Sequence, residues 1–125
     1  MIKNFLTTLV IFLGIDFLWL GIIAKNFYDK HLGAFERTLS WPAIAPVYLL
    51  ISLGIVLFVL PKADGNIKFA LLWGVVYGLI VYGVYDLTNL ATLKNWSVTM
   101  VITDMLWGMF ICGFTSFVVT YFLNK

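Results

Sequence analysis

The chain has 125 residues, of which 62% are hydrophobic and 11% are charged. Soluble domains are about half apolar and about a quarter charged, so this composition excludes an ordinary soluble fold and predicts a protein surrounded by lipid bilayer. The net charge of +2 gives no reason to expect a nucleic acid partner. The single cysteine, Cys112, excludes a disulfide within the chain.

Four apolar segments are separated by the charged clusters of the sequence. A segment of about 20 residues crosses a hydrocarbon core of about 30 Å, and its backbone must be helical because lipid offers no hydrogen-bond partners. The sequence therefore predicts an all-α membrane protein, a single domain over residues 1–125 with four transmembrane helices in an up-down bundle. The predicted helices are about 4–24, 41–60, 69–90 and 98–122. Asp16 interrupts the first apolar segment, which favours a retained helix over a cleaved signal peptide.

The first connection, Lys25–Ser40, is the longest and has two interpretations. Tyr28, Leu32 and Phe35 recur at helical spacing, with charged residues between them. This pattern fits an amphipathic helical turn at the membrane interface, and it fits equally a polar loop that touches lipid head groups. The second and third connections are short.

The distribution of positive charge does not determine the orientation in the membrane. We call side A the face that holds the N-terminus, the second loop and the C-terminus, and side B the opposite face. Lys and Arg divide equally between side A (Lys3, Lys62, Lys68, Lys125) and side B (Lys25, Lys30, Arg37, Lys94). The positive-inside rule therefore permits both orientations, and with them an antiparallel homodimer. A reporter fused to the C-terminus tests this hypothesis, which a single uniform orientation would refute.

Three carboxylates, Asp16, Asp86 and Asp104, lie inside the apolar segments. At a rise of about 1.5 Å per residue, they lie roughly 3, 10 and 9 Å from the midplane, all toward side B. Ionisable residues in a membrane normally face the bundle interior or a water-filled cavity. The sequence therefore predicts a one-sided pocket in the side B half.

The first and fourth segments share a spacing of three between an acid and a tryptophan. Asp16 precedes Trp19, and Asp104 precedes Trp107, so each pair lies on one helix face. Because the two helices run in opposite directions, each indole comes level with the other helix's acid. An indole N–H donates and a carboxylate accepts, which predicts crossed hydrogen bonds from Trp107 to Asp16 and from Trp19 to Asp104.

The third segment combines small residues with tyrosines around Asp86. Gly74, Gly78 and Gly83 predict close helix packing. Tyr82 shares a face with Asp86, which predicts a hydrogen bond between them, and Asn89 lies one turn beyond the acid.

Several of these motifs together resemble one family of predicted bacterial membrane proteins, domain of unknown function 2177. The resemblance covers essentially the whole chain and implies a multi-pass protein of the bacterial inner membrane, without implying a reaction. It rests on the stretch Tyr85–Leu93 followed by Trp96, on Asp104, Trp107 and Gly108, on Asp16, Trp19, Leu20 and Gly21, on Phe27, Tyr28 and Gly33, and on Trp41, Pro42, Ala43 and Tyr48.

The candidate pocket combines the polar residues of the side B half with these motif positions. Because the apolar segments contain no Lys or Arg, a cation, a proton or a polar ligand must offset the acids. The first hypothesis is binding or transport of a small cationic or amphiphilic ligand by carboxylates and aromatic rings. The pocket candidates are Asp16, Trp19, Tyr82, Tyr85, Asp86, Thr88, Asn89, Asp104 and Trp107.

Two further hypotheses stay open. The protein is a membrane enzyme acting on a lipid or isoprenoid, with Asp86 and Asp104 as acid and base, or it is a structural or accessory protein whose acids fix helix packing. Oxygen ligands of Asp86, Asn89 and Asp104 would suit Mg²⁺ or Ca²⁺, but the sequence predicts no metal site and identifies no cofactor. Transport predicts openings to alternate sides or an antiparallel dimer, an enzyme predicts a lateral opening to lipid, and a structural role predicts no cavity.

Overall fold

The computed structural model describes residues 2–32 and 40–123, which form five helices and no strand. Four of the helices are long and apolar enough to cross a membrane, and their bounds agree with the predicted ones to within three residues. This confirms the predicted all-α membrane fold. The helices are α1 (Ile2–Ile23), α2 (Lys25–Leu32), α3 (Trp41–Ala63), α4 (Ile67–Thr92) and α5 (Val98–Leu123).

The turn between α3 and α4 shows why α4 begins two residues before the predicted start. Asp64 and Gly65 adopt positive φ angles of 50° and 78°, which reverse the chain. The Asn66 side chain then accepts hydrogen bonds from the backbone N–H groups of Lys68 and Phe69, at 2.9 and 3.1 Å. This N-cap satisfies backbone donors that would otherwise lack a partner at the start of the helix.

Helices α4 and α5 pack closely along one face through glycines. A Cβ atom added to Gly74 would lie 2.6 Å from the Cys112 carbonyl oxygen and 2.7 Å from the Gly113 Cα. One added to Gly78 would meet the backbone of Gly108. The close packing predicted for the small residues is confirmed at both positions, since only glycine lets the backbones approach this far.

Helix α3 contacts α4 unevenly. Its last two turns pack against α4 near side A. Toward side B, the contact ends around Tyr77, whose hydroxyl donates to the Ile51 carbonyl oxygen at 3.0 Å and whose ring lies against Gly54. The preceding part of α3 diverges from α4, which leaves a gap in the side B half. Helix α1 covers the bundle by packing on both α3 and α5.

The short helix α2 follows directly after a π-helical turn, Trp19–Ile23, at the end of α1. Its Tyr28 is buried beside Ala24 and Met100, with the rings of Trp19 and Trp96 packed around them. A helix therefore forms over the first half of the connection, in agreement with the helical interpretation. The rest of that pattern, including Phe35, lies outside the described residues, as do Gly33 and Arg37.

Candidate functional site

Asp16 lies in the interior of the bundle and is held by two donors from other helices. Its side chain is 5% exposed. One carboxylate oxygen accepts from the Tyr48 hydroxyl of α3 at 2.5 Å, and the other accepts from the Trp107 indole N–H of α5 at 3.0 Å. The hydrogen bond predicted from Trp107 to Asp16 is confirmed. The carboxylate thus joins three of the four spanning helices.

The matching bond predicted from Trp19 to Asp104 is wrong, because Tyr28 of α2 lies between the two groups. The Trp19 indole N–H donates to the Tyr28 hydroxyl at 3.1 Å, and this hydroxyl donates to Asp104 at 2.6 Å. The two indoles, Trp19 and Trp107, stack at a centroid distance of 4.2 Å and an interplanar angle of 7°. Of the two predicted crossed hydrogen bonds, only the one from Trp107 to Asp16 forms directly, while the Tyr28 phenol bridges Trp19 and Asp104.

Asp86 is the most enclosed of the three acids and is 0% exposed. Among the residues that the structure describes, no donor lies within hydrogen-bond distance of either of its carboxylate oxygens. The carboxyl lies close enough to that of Asp104 for a single proton to join the two. The bond predicted from Tyr82 to Asp86 is wrong, because the Tyr82 ring packs against Gly108 of α5 instead.

A cavity of about 340 Å³ lies in the gap between α3 and α4. Its walls include the carboxylates of Asp16 and Asp104. Leu20, Val47 and Tyr85 belong to its lining and are 39%, 51% and 57% exposed. Because exposed surface of a spanning helix faces acyl chains, this rim opens sideways into lipid. The complete lining is Asp16, Leu20, Tyr28, Val47, Ile51, Val81, Tyr82, Tyr85, Asp104 and Trp107.

Comparison with known families bears on this arrangement. The family model described as predicted membrane protein (DUF2177) matches residues 1–121. The chain belongs to this family. The resemblance drawn from the motifs is thereby confirmed, and the family description agrees with the four spanning helices. No curated protein and no solved structure matches the chain. Family membership therefore supports a multi-pass membrane protein and carries no reaction with it.

The predicted pocket residues of this DUF2177 protein fall into three groups. Those that line the cavity are Asp16, Tyr82, Tyr85, Asp104 and Trp107. Trp19 and Asp86 lie directly behind this lining, stacked on Trp107 and beside Asp104 respectively. Thr88 and Asn89 do not line the cavity. Thr88 is exposed, and its carbonyl oxygen accepts a hydrogen bond from the Thr92 hydroxyl. Asn89 lies within hydrogen-bonding reach of the Tyr85 hydroxyl.

Two tyrosines that bind the acids directly, Tyr28 and Tyr48, are missing from the predicted pocket. Both belong to the family-like motifs, and Tyr28 also has helical spacing in the first connection. The depth of a residue along a spanning helix cannot identify Tyr28, because α2 is not one of the spanning helices. Its contact with Asp104 depends on how α2 folds back against α5.

The cavity of the DUF2177 protein is acidic, as its described lining residues show. Its lining has two carboxylates and no Lys, Arg or His among the described residues. In the same part of the chain, no group of three or more His, Cys, Asp or Glu residues is arranged to hold a metal ion. Burial raises the pKa of Tyr28, and the nearby charge of Asp104 raises it further. The phenol therefore keeps its proton and remains a hydrogen-bond donor. The site is suited to accept a cationic or hydrogen-bond-donating group.

Proposed function

We propose that this protein binds a membrane-embedded amphiphile with a small cationic head group, in the cavity between α3 and α4. The observation that carries the proposal is the acidic base of a cavity whose rim is apolar and faces lipid. The acyl chain would stay among the lipids, and the head group would reach Asp16 and Asp104. A volume of about 340 Å³ falls within the usual range for small-ligand sites.

Electrostatics favours a cation over a neutral or anionic head group. A carboxylate in a low-dielectric interior is costly unless a charge or donor offsets it. Tyrosine and tryptophan donors offset part of this cost at Asp16 and Asp104, but their hydrogen bonds bring no positive charge. An ammonium group would supply that charge, and the aromatic side chains of Tyr82, Tyr85 and Trp107 line the same cavity, where they could add cation–π contact.

Transport of this ligand is an extension of the proposal. A second cavity of about 310 Å³ lies near side A, lined in part by Asn4, Asp64 and Thr120. A buried cluster that includes Phe12, Ile55 and Ile111 lies in the bundle interior between the ends of the helices. Alternating access would require this core to open, and uptake of the ligand into proteoliposomes would test it.

A second candidate, an enzyme acting on a lipid or isoprenoid, is favoured by the closeness of Asp86 to Asp104. Two neighbouring acids in unequal surroundings suit acid–base catalysis, and the lateral opening suits a lipid substrate. The test is the lipid composition of cells that express the wild-type chain or the Asp86→Asn variant. A lipid species that only the wild-type protein consumes or produces would favour the enzyme over simple binding.

The binding test uses purified protein in phosphatidylcholine nanodiscs, with dodecyltrimethylammonium as the cation and dodecanol as its neutral counterpart. Trp19 and Trp107 adjoin the site, so tryptophan fluorescence reports binding. We expect saturable binding of the cation alone, weakened about tenfold or more by Asp104→Asn, which corresponds to about 1.4 kcal/mol. Asp29→Asn, at an exposed acid that lines neither of the two cavities, is the matched control.

The entry route is tested separately by filling the gap. Val47→Trp places an indole at the rim of the cavity and should weaken binding of the cation about tenfold. Leu50→Trp is the control, since Leu50 is 65% exposed on the same helix and does not line this cavity. Equal binding of dodecanol, or equal binding by the Asp104→Asn and wild-type proteins, would contradict the proposal.

The location and the oligomeric state are part of the same proposal. The motifs resemble bacterial proteins, so we place the protein in the bacterial inner membrane, and the equal division of Lys and Arg keeps an antiparallel homodimer as a prediction. Light scattering of the protein in detergent measures the oligomeric state.

A further inference from the structure

Asp86 differs from the other two acids because it has no hydrogen-bond donor among the described residues and no exposed surface. It is 0% exposed, and both of its oxygens lack a hydrogen-bond partner among the described residues. Asp16 has two donors, and Asp104 has the Tyr28 hydroxyl. A fully ionised and unpartnered carboxylate at this position would bear the whole cost of its burial.

Only one neighbouring group among the described residues is placed to share a proton with the Asp86 carboxylate. The Asp104 carboxyl of α5 lies within hydrogen-bond distance of it, so one proton can join the two groups. The Tyr28 hydroxyl from α2 already donates to Asp104 and so has no proton to offer Asp86. The Tyr48 hydroxyl donates to Asp16 and so is not available to Asp86. On α4 itself, Tyr82 packs on Gly108 and Tyr85 is directed to Asn89.

We infer that Asp86 and Asp104 share one proton while the cavity is empty, and that a bound cationic head group displaces this proton. The shared proton gives Asp86 its missing donor and removes one negative charge from the unliganded interior. When a cationic head group enters beside Asp104, its positive charge stabilises the fully ionised pair of acids, so the shared proton leaves to bulk water. The two cations thus compete through charge for the same pair of acids. This inference rests on the proposed function and specifies how binding at that site is regulated.

The coupling has a defined sign. As long as the pair holds its proton, each cation that binds must release one proton, so affinity rises about tenfold for each unit of increasing pH. Above the pH at which the empty pair loses its proton, affinity becomes independent of pH. Asp86→Asn supplies a permanent donor and cannot release a proton, so its affinity should not change with pH over the same range.

The experiment measures proton release when dodecyltrimethylammonium is titrated into the protein in phosphatidylcholine nanodiscs. This cation carries no ionisable proton, so any proton released comes from the protein. Calorimetry in phosphate and in Tris, which differ in ionisation enthalpy, gives the number of protons, and empty nanodiscs give the background. We expect about one proton per bound cation for the wild type and for Asp29→Asn. For Asp86→Asn we expect binding with no proton release.

The outcomes separate this inference from the proposed function. Binding of the cation to the wild type without proton release overturns the shared proton and leaves the binding function intact. No saturable binding by the wild type overturns the binding function and the coupling that rests on it. Proton release of equal size from Asp86→Asn overturns the assignment to Asp86.

An infrared measurement tests the shared proton without any ligand and covers the case in which Asp86→Asn folds poorly. In dodecyl maltoside micelles, which contain no ester carbonyls, the wild-type protein should show the carbonyl stretch of a protonated carboxyl at neutral pH. The band should disappear at high pH and should be absent from Asp104→Asn as well as from Asp86→Asn. A wild-type spectrum without this band overturns the inference.

Discussion

The two ends of the bundle differ in how closely α3 packs against α4. Near side A, the last turns of α3 close on α4. Near side B, the same two helices diverge around a cavity with acids at its base. The close packing of α4 on α5, from Gly74 to Gly78, explains how the bundle tolerates this opening. Because one face of α4 packs closely on α5, the bundle stays together although the opposite face of α4 does not contact α3 near side B.

The polar groups of the two ends also differ. In the side B half, Asp16 and Asp104 bind tyrosine and tryptophan donors from other helices. In the side A half, the hydroxyls of Thr8 and Thr115 are fully buried and have no partner among the described residues. Among the described residues, the hydrogen bonds between side chains of different helices therefore concentrate at the open end, where they position Asp16 and Asp104, while the closed end depends on close packing.

We expect the largest loss of stability from a substitution at Gly74, where the backbones of α4 and α5 approach each other closely. In Gly74→Ala, the new methyl group would lie 2.6 Å from the Cys112 carbonyl oxygen, so α4 and α5 must separate. We expect the free energy of unfolding to fall by about 1–3 kcal/mol, as for other overpacked interiors. Unfolding in mixed micelles with increasing sodium dodecyl sulfate measures it.

The matched control for this prediction is Gly14→Ala on α1. No atom lies within 4 Å of a Cβ added at Gly14, so the change keeps the helix-propensity effect of alanine and removes the collision. We expect unchanged or slightly increased stability, because alanine favours a helix over glycine by about 1 kcal/mol. Equal destabilisation at both positions would contradict the role assigned to the α4–α5 contact.

A smaller effect should distinguish the two tryptophan–aspartate pairs at the open end, one bonded directly and one bridged by Tyr28. Trp107 bonds to Asp16 directly, whereas Trp19 reaches Asp104 only through Tyr28. Double-mutant cycles, with each Trp changed to Phe and each Asp to Asn, should give a coupling energy of about 0.6 kcal/mol or more for the direct pair. The bridged pair should show a smaller coupling, and the reverse order would contradict the geometry.

The sequence predicted the spanning helices and the directly bonded pair for clear physical reasons. Apolar length determines the helices, and the antiparallel run of α1 and α5 brings Asp16 level with Trp107. The rest depends on tertiary contacts that spacing does not encode. Tyr28 reaches Asp104 only because α2 folds back against α5. The Tyr82 ring packs into the space beside Gly108 and not toward Asp86 on its own helix. The gap between α3 and α4 likewise follows from packing over the whole bundle.

The smallest effect concerns the unpartnered hydroxyls at the closed end and should be stabilising. Thr8→Val replaces a fully buried hydroxyl that has no partner among the described residues by a methyl group of similar shape. Because burying an unpaired polar group costs free energy, we expect the free energy of unfolding to rise by about 0.5 kcal/mol. The neighbouring Thr7→Val is the control, since the Thr7 hydroxyl donates to the Lys3 carbonyl oxygen at 2.8 Å and its loss should bring no gain. A clear loss of stability in Thr8→Val alone would mean that this hydroxyl binds a water molecule or ion. The closed end would then depend on polar contacts as the open end does, and the contrast between the two ends would fail.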